Sequence, residues 1–124
     1  TLGRLVTVFR DASMSSEVEL LPKLAQIDAR ACLNRLRVLT EKIVSKALDK
    51  KQIPHREKSL AAAIGALKDN GVASERAVSY LHTIRVIGNI AAHASEEPLT
   101  DADVRIVSYA LACVVEEFMD TELL

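Results

Sequence analysis

From Ala73 to His93 the chain reads ASERAVSYLHTIRVIGNIAAH, which as a helix is apolar around most of its circumference. Ala77, Val78, Leu81, Ile84, Ile87, Ile90 and Ala91 leave little room for a solvent face. A helix of this kind is usually central and buried. His82, Arg85, Asn89 and His93 recur at intervals of 3, 4 and 4 residues, so they fall on one narrow polar stripe. A buried polar group without a partner costs roughly 1–3 kcal/mol. The stripe is therefore expected to meet neighbouring helices, a second copy of the chain, or a ligand.

The remaining sequence also reads as helix. Hydrophobic residues make up 49% of the 124 residues but aromatics only 3%, so the core must be built from Leu, Ile, Val and Ala. Four glycines and three prolines leave room for long uninterrupted helices. No apolar run approaches a membrane span, and no signal peptide is evident. The chain opens on Thr1 instead of Met and reads as a piece of a longer protein. Cys32 and Cys113 each lie in an apolar helical pattern. They predict free core thiols in a reducing, cytoplasmic setting, with neither a disulfide framework nor a zinc site. No metal or other cofactor is expected.

Read in order, residues 1–15 are expected to form an arm or linker, with Leu5, Val6, Val8 and Phe9 in a short strand or packed locally. Residues 16–124 are expected to form one helical domain. Ser15 or Ser16 with Glu19 resembles a capping box. A first long helix then runs from about Leu20 to Leu48, with Cys32, Leu36, Leu39 and Ile43 inward. Glu41 and Asp49 are placed to pair with some of the cations Arg35, Lys42 and Lys46 on another face of that helix. Ser59 caps a second helix carrying Leu60, Ile64 and Leu67, and Gly71 ends it. Ser74 caps the third, in which Gly88 allows another helix to approach closely. Ser95 to Leu99 form the next loop. Thr100 caps the fourth, with Asp101 and Asp103 in its first turn, and Asp120 to Leu124 fray. Four helices joined by short loops predict an antiparallel four-helix bundle, an all-α fold.

Charge is uneven although the net charge is only −1. Residues 30–58 hold nine Lys or Arg to three acids, and residues 95–124 hold eight acids to Arg105 alone. Arg35, Lys42 and Lys46 share a helix face that can touch nucleic-acid phosphates, although no aromatic interleaves them for base stacking. The bland reading of that face is simple solvation. His55 in its charged loop, and the pairs Glu96–Glu97 and Glu116–Glu117, also read as solvated. No glycine-rich phosphate loop, nucleophile elbow or paired-carboxylate arrangement appears.

The phrase Leu81 to His93, with Ala29-Arg30-Ala31 and the Leu60, Leu67, Asn70-Gly71 pattern, resembles domain-of-unknown-function family 4145. Its hallmark resembles Arg85, Gly88-Asn89, Ala91-Ala92 and His93, and the likeness spans Pro22 to Phe118. That family is similar to the HEPN superfamily (higher eukaryotes and prokaryotes nucleotide-binding). The resemblance implies a HEPN-like four-helix bundle that dimerises and accompanies restriction and defence proteins of bacteria. Many HEPN domains are metal-independent ribonucleases, in which an Arg is followed by a polar residue and, a few residues on, by a His. The His serves as general acid or base and the Arg stabilises phosphate charge. Here seven residues separate Arg85 from His93, and Val86 replaces the polar neighbour.

Two readings follow. In the first the chain is a non-catalytic accessory module. It would self-associate as a homodimer, contact the other domains of its parent protein, and touch nucleic acid through Arg35, Lys42 and Lys46. His82, Arg85, Asn89 and His93 would then form an interface or a polar network, with Asn89 bonding across toward Arg30 or Asn34. In the second, Arg85 and His93, supported by Asn89, cleave RNA at a dimer cleft. No membrane partner is expected in either.

Overall fold

The computed structural model describes residues 2–93 and 96–124. Among them there are six α-helices and no strand: α1 (Leu2–Asp11), α2 (Leu21–Ile27), α3 (Ala29–Lys50), α4 (Leu60–Asp69), α5 (Glu75–Ala92) and α6 (Asp101–Asp120). A short 3₁₀ turn at Ser15–Glu17 joins the first two. Thr1, Ala94 and the Ser95 of the expected loop lie outside the described residues.

Most local signals for helix ends act where the sequence placed them; the capping box expected at Ser15 or Ser16 with Glu19 does not form, because both serines lie in the 3₁₀ turn and α2 starts after Leu20 with no side-chain cap. Ser59 Oγ accepts from the Ala62 amide at 3.1 Å, and Ser74 Oγ from the Ala77 amide at 3.0 Å. The Thr100 amide donates to the Asp103 carboxylate at 2.9 Å. Gly71 takes φ +64° after α4, and the following Val72 amide closes on the Leu67 carbonyl at 2.9 Å. That pairing satisfies a carbonyl the helix end would otherwise leave open.

Three stretches differ from the sequence expectation. The long first helix is interrupted at Asp28, whose backbone is extended (φ −155°, ψ 103°) and whose carboxylate caps α3 through the Ala31 amide. Apolar spacing continues across the break from Leu24 to Cys32, which is why periodicity alone did not reveal it. Residues Leu2–Asp11 form a helix in place of the expected strand or arm, and Leu5 and Phe9 are fully buried. Their spacing, with Val8, puts all three on one helical face. Finally, the chain end does not fray. Glu122 turns back at φ +60° and Leu123 is buried against the core, its amide bonded to the Phe118 carbonyl at 2.7 Å.

α3, α5 and α6 pack on one another; α1 covers α6, and α4 covers α3 and α5. Along α3, Arg30 and Asn34 meet the carbonyl end of α5 while Arg37 meets Gly88, so the two helices run antiparallel. Leu33, Leu36, Leu39 and Ile43 of α3 pack with Leu81 and Ile84 of α5 and Leu111, Val114 and Phe118 of α6 in one largely aliphatic core. Each such side chain, fully buried, contributes roughly 1.5–3 kcal/mol relative to exposure. Among the described residues no helix is long and apolar enough to cross a membrane.

Candidate functional site

α5 has an inner face of Ala77, Val78, Leu81, Ile84, Gly88 and Ala91, all buried. Its opposite side is exposed, which corrects the expectation of a helix buried all round. His82, Asn89 and His93 face solvent, Arg85 is half-buried, and Val86 beside them is 50% exposed. The polar stripe thus lies on the surface. The side-chain contact found within it among the described residues is long, Arg85 Nε to His82 Nδ1 at 3.5 Å.

The polar network at the end of α5 is built from its backbone. Arg30 Nη1 donates to the carbonyls of Ile90, Ala91 and His93 at 2.8, 3.0 and 3.2 Å, and Nη2 donates to the Glu97 carbonyl at 3.2 Å. Asn34 Nδ2 adds a bond to the Ala91 carbonyl at 3.3 Å. These groups meet the helix-end carbonyls that have no partner within the helix. Arg30 and Asn34 therefore reach past the Asn89 side chain to the main chain.

Arg85 and Asn89 instead line a solvent-open groove of about 400 Å³ between α3, the start of α4 and α5. α3 contributes Arg37, Glu41 and Ser45; the loop before α4 contributes His55 and Lys58. Val44, Leu60 and Ala63 form its apolar floor, and no Phe, Tyr or Trp lines it. Arg37 Nη1 donates to Glu41 at 2.6 Å, while Arg37 Nε is enclosed and unpartnered. The aliphatic stem of Arg37 crosses α5 at Gly88, where no side chain obstructs it. His55, expected in solvent, is only 20% exposed; its Nε2 lies 2.6 Å from Asp49 and 3.5 Å from Ser45. His93 is not part of this lining. It caps α5 in extended conformation two turns beyond Arg85.

The face of Arg35, Lys42 and Lys46 is tied down by an acid from another element. Glu17 pairs with Arg35 at 3.3 Å and Lys42 at 3.0 Å. The Lys42 hydrogen bond first, and the charges of Lys42, Arg35 and Lys46 after it, hold the Glu17 carboxyl below its ordinary range. Glu41 and Asp49, expected to serve those cations, pair with Arg37 and His55 instead.

On the other side of the molecule, Arg4 grips Glu116 with Nε and Nη2 at 3.0 and 2.8 Å, and its guanidinium lies 5.0 Å from the centre of the Tyr109 ring. Tyr80 meets Tyr109 edge to face at 6.1 Å. Glu117 accepts from the Ser74 hydroxyl and amide. The acids at 116 and 117 thus have partners, contrary to the solvated reading. Cys32 is buried, and burial pushes its thiol up; Cys113 is half-buried, and neither is in a disulfide. Among the described residues no group of three His, Cys, Asp or Glu is placed to hold a metal.

The sequence profile of a family described as Domain of unknown function (DUF4145) matches residues 21–122. No curated protein and no solved structure gives a significant match.

Proposed function

Because the chain belongs to the DUF4145 family of domains of unknown function, we propose that it is a non-catalytic accessory module of a larger bacterial protein. It has a HEPN-like four-helix plan in α3 to α6, extended by α1 and α2. It self-associates as a homodimer and mediates interaction with its parent protein's domains in a restriction or defence context in the cytoplasm. Nucleic-acid contact belongs to the same reading.

One observation carries the non-catalytic part. Arg85 lines the groove, and His93 stands at the end of α5 outside that lining. Eight residues of helix correspond to about 12 Å of axial rise, which a long Arg side chain bridges only in part and which is large for joint action on one phosphate within a chain. The surface position of His82, Asn89, His93 and Val86 supports an interface role, since these side chains are free to meet a second copy.

The test is incubation of the purified chain with mixed RNA in EDTA. No cleavage is expected. Cleavage that disappears in His93→Ala would establish the ribonuclease reading, with Arg85 and His93 contributed across a dimer. Light scattering at high micromolar concentration is expected to give a dimer mass, and a monomer would remove the self-association claim.

A further inference from the structure

We propose that the groove between α3, α4 and α5 is a phosphate-binding site that grips a phosphate on a small ligand or a nucleic-acid strand without reading the base. The inference rests on the accessory-module reading and adds a ligand class to it; it shares Arg85 and Asn89 with the polar stripe and takes its other residues from α3, the loop before α4 and the start of α4.

The groove holds an excess of positive charge. Glu41 is the only acid in its lining, and it is occupied by Arg37. Lys58 and Arg85 line the same space and have no carboxylate partner among the described residues. Two uncompensated cations from separate parts of the chain, beside a third already paired, form a cluster that an anion would complete. The first turn of α4, which supplies Ser59, Leu60 and Ala61, contains no acid. The Ala62 amide is taken by Ser59 Oγ, which leaves the Leu60 and Ala61 amides without a helical carbonyl to meet, and these add to the same polarity.

Two of the lining side chains, Arg37 and His55, are also held in place. The Arg37 stem lies against α5 at Gly88, and its Nε is enclosed without a partner. His55 is fixed at the rim by Asp49 and Ser45. Side chains restrained before binding lose less entropy when a ligand arrives. The volume of about 400 Å³ suits a nucleotide-sized group. With Val44, Leu60 and Ala63 as the floor, no Phe, Tyr or Trp, and the His55 imidazole held by Asp49, the groove lacks a broad stacking platform, so the phosphate is the part recognised.

The experiment is calorimetric titration of the whole chain at low salt with sodium pyrophosphate and, separately, with short oligothymidylate. Saturable binding of at least one probe is expected. Pyrophosphate alone assigns a free phosphorylated ligand, oligothymidylate alone assigns a strand, and both together assign the shared phosphate. Lys58→Gln plus Arg85→Gln should weaken binding roughly tenfold or more, with unchanged circular dichroism. Glu41→Gln should tighten it several-fold by removing the only carboxylate in the groove, a gain that a merely structural role for these residues would not produce. Absence of binding to both probes, or affinity unmoved in the double variant, overturns the proposal. Because Arg85 also belongs to the stripe, Lys58→Gln alone, which should weaken binding several-fold, keeps this test distinct from the dimer and RNA-cleavage tests.

Discussion

The side chain of Arg37 lies across α5 at Gly88. A Cβ built on that glycine would stand 3.0 Å from Arg37 Cδ, 3.1 Å from Cγ and 3.2 Å from Cβ. Glycine in a helix interior normally costs about 1 kcal/mol relative to alanine. Here the cost is offset by contact, because α3 and α5 close on each other with an arginine stem between them. Gly88→Ala should therefore fail to deliver the propensity gain and should be neutral or destabilising by about 1 kcal/mol in urea denaturation. Gly88→Leu should cost about 2–3 kcal/mol through overpacking. A Gly88→Ala chain stabilised by the full propensity difference would mean that the two helices have slack at this point.

Arg30 concentrates four carbonyl contacts on one guanidinium. Removing it leaves the end of α5 without those donors, and a half-buried hydrogen bond from a charged group is worth about 1.5–3 kcal/mol. Arg30→Ala should destabilise by about 2 kcal/mol or more. Arg30→Lys should recover little of this, since an ammonium cannot span the same fork. Hydrogen exchange should localise the loss to the last turn of α5. Exchange there unchanged in Arg30→Ala would show that α5 ends independently of α3.

The first helix is core. Phe9 and Leu5 have no exposed surface, and α1 packs on α6. Phe9→Ala should cost about 3–5 kcal/mol, in the range of a central substitution such as Leu111→Ala. An appended arm would show less than about 0.5 kcal/mol. The urea midpoint of the two variants, measured side by side, separates these outcomes.

Short-range chemistry made several of these features readable in advance. Ser59, Ser74, Thr100 and Gly71 act on the few residues next to them, so their roles could be inferred without knowing the fold. The helical face of Leu5, Val8 and Phe9 is also legible, at the spacing that marks a helix, but it is short, and the expectation of an arm or linker over residues 1–15 overlooks it. Asp28 was a cap signal masked by unbroken apolar periodicity. The groove was not legible, because Arg37, Lys58 and Arg85 are far apart in the chain and only the packing of α3 on α5 assembles them. Gly88 was its single local trace, a helix-interior glycine whose purpose appears once Arg37 lies over it. The exposure of His82, Asn89 and His93 was missed for a related reason. An apolar circumference says how much of a helix can be buried, and neighbours decide which side is.

Glu17 offers a pH test of the basic face. Its carboxyl is held below the usual glutamate range, first by the Lys42 hydrogen bond and then by the charges of Lys42, Arg35 and Lys46. A group whose pKa is lowered in the folded chain adds stability that is complete above its unfolded value, about 4.3. That contribution is lost as pH falls through the lower, folded value. Glu17→Gln should therefore reduce stability at pH 7 and make progressively less difference in more acidic solution. The Glu17 side chain is 26% exposed, and its partners Arg35 and Lys42 are 40% and 46% exposed. Solvent screening limits the effect at neutral pH to at most about 1 kcal/mol, and added salt should shrink it further. Urea midpoints of the wild-type and Glu17→Gln chains at neutral and acidic pH provide the measurement. A difference that persists undiminished in acid would mean that Glu17 stabilises the turn before α2 by packing, leaving Arg35 and Lys42 electrostatically independent of it.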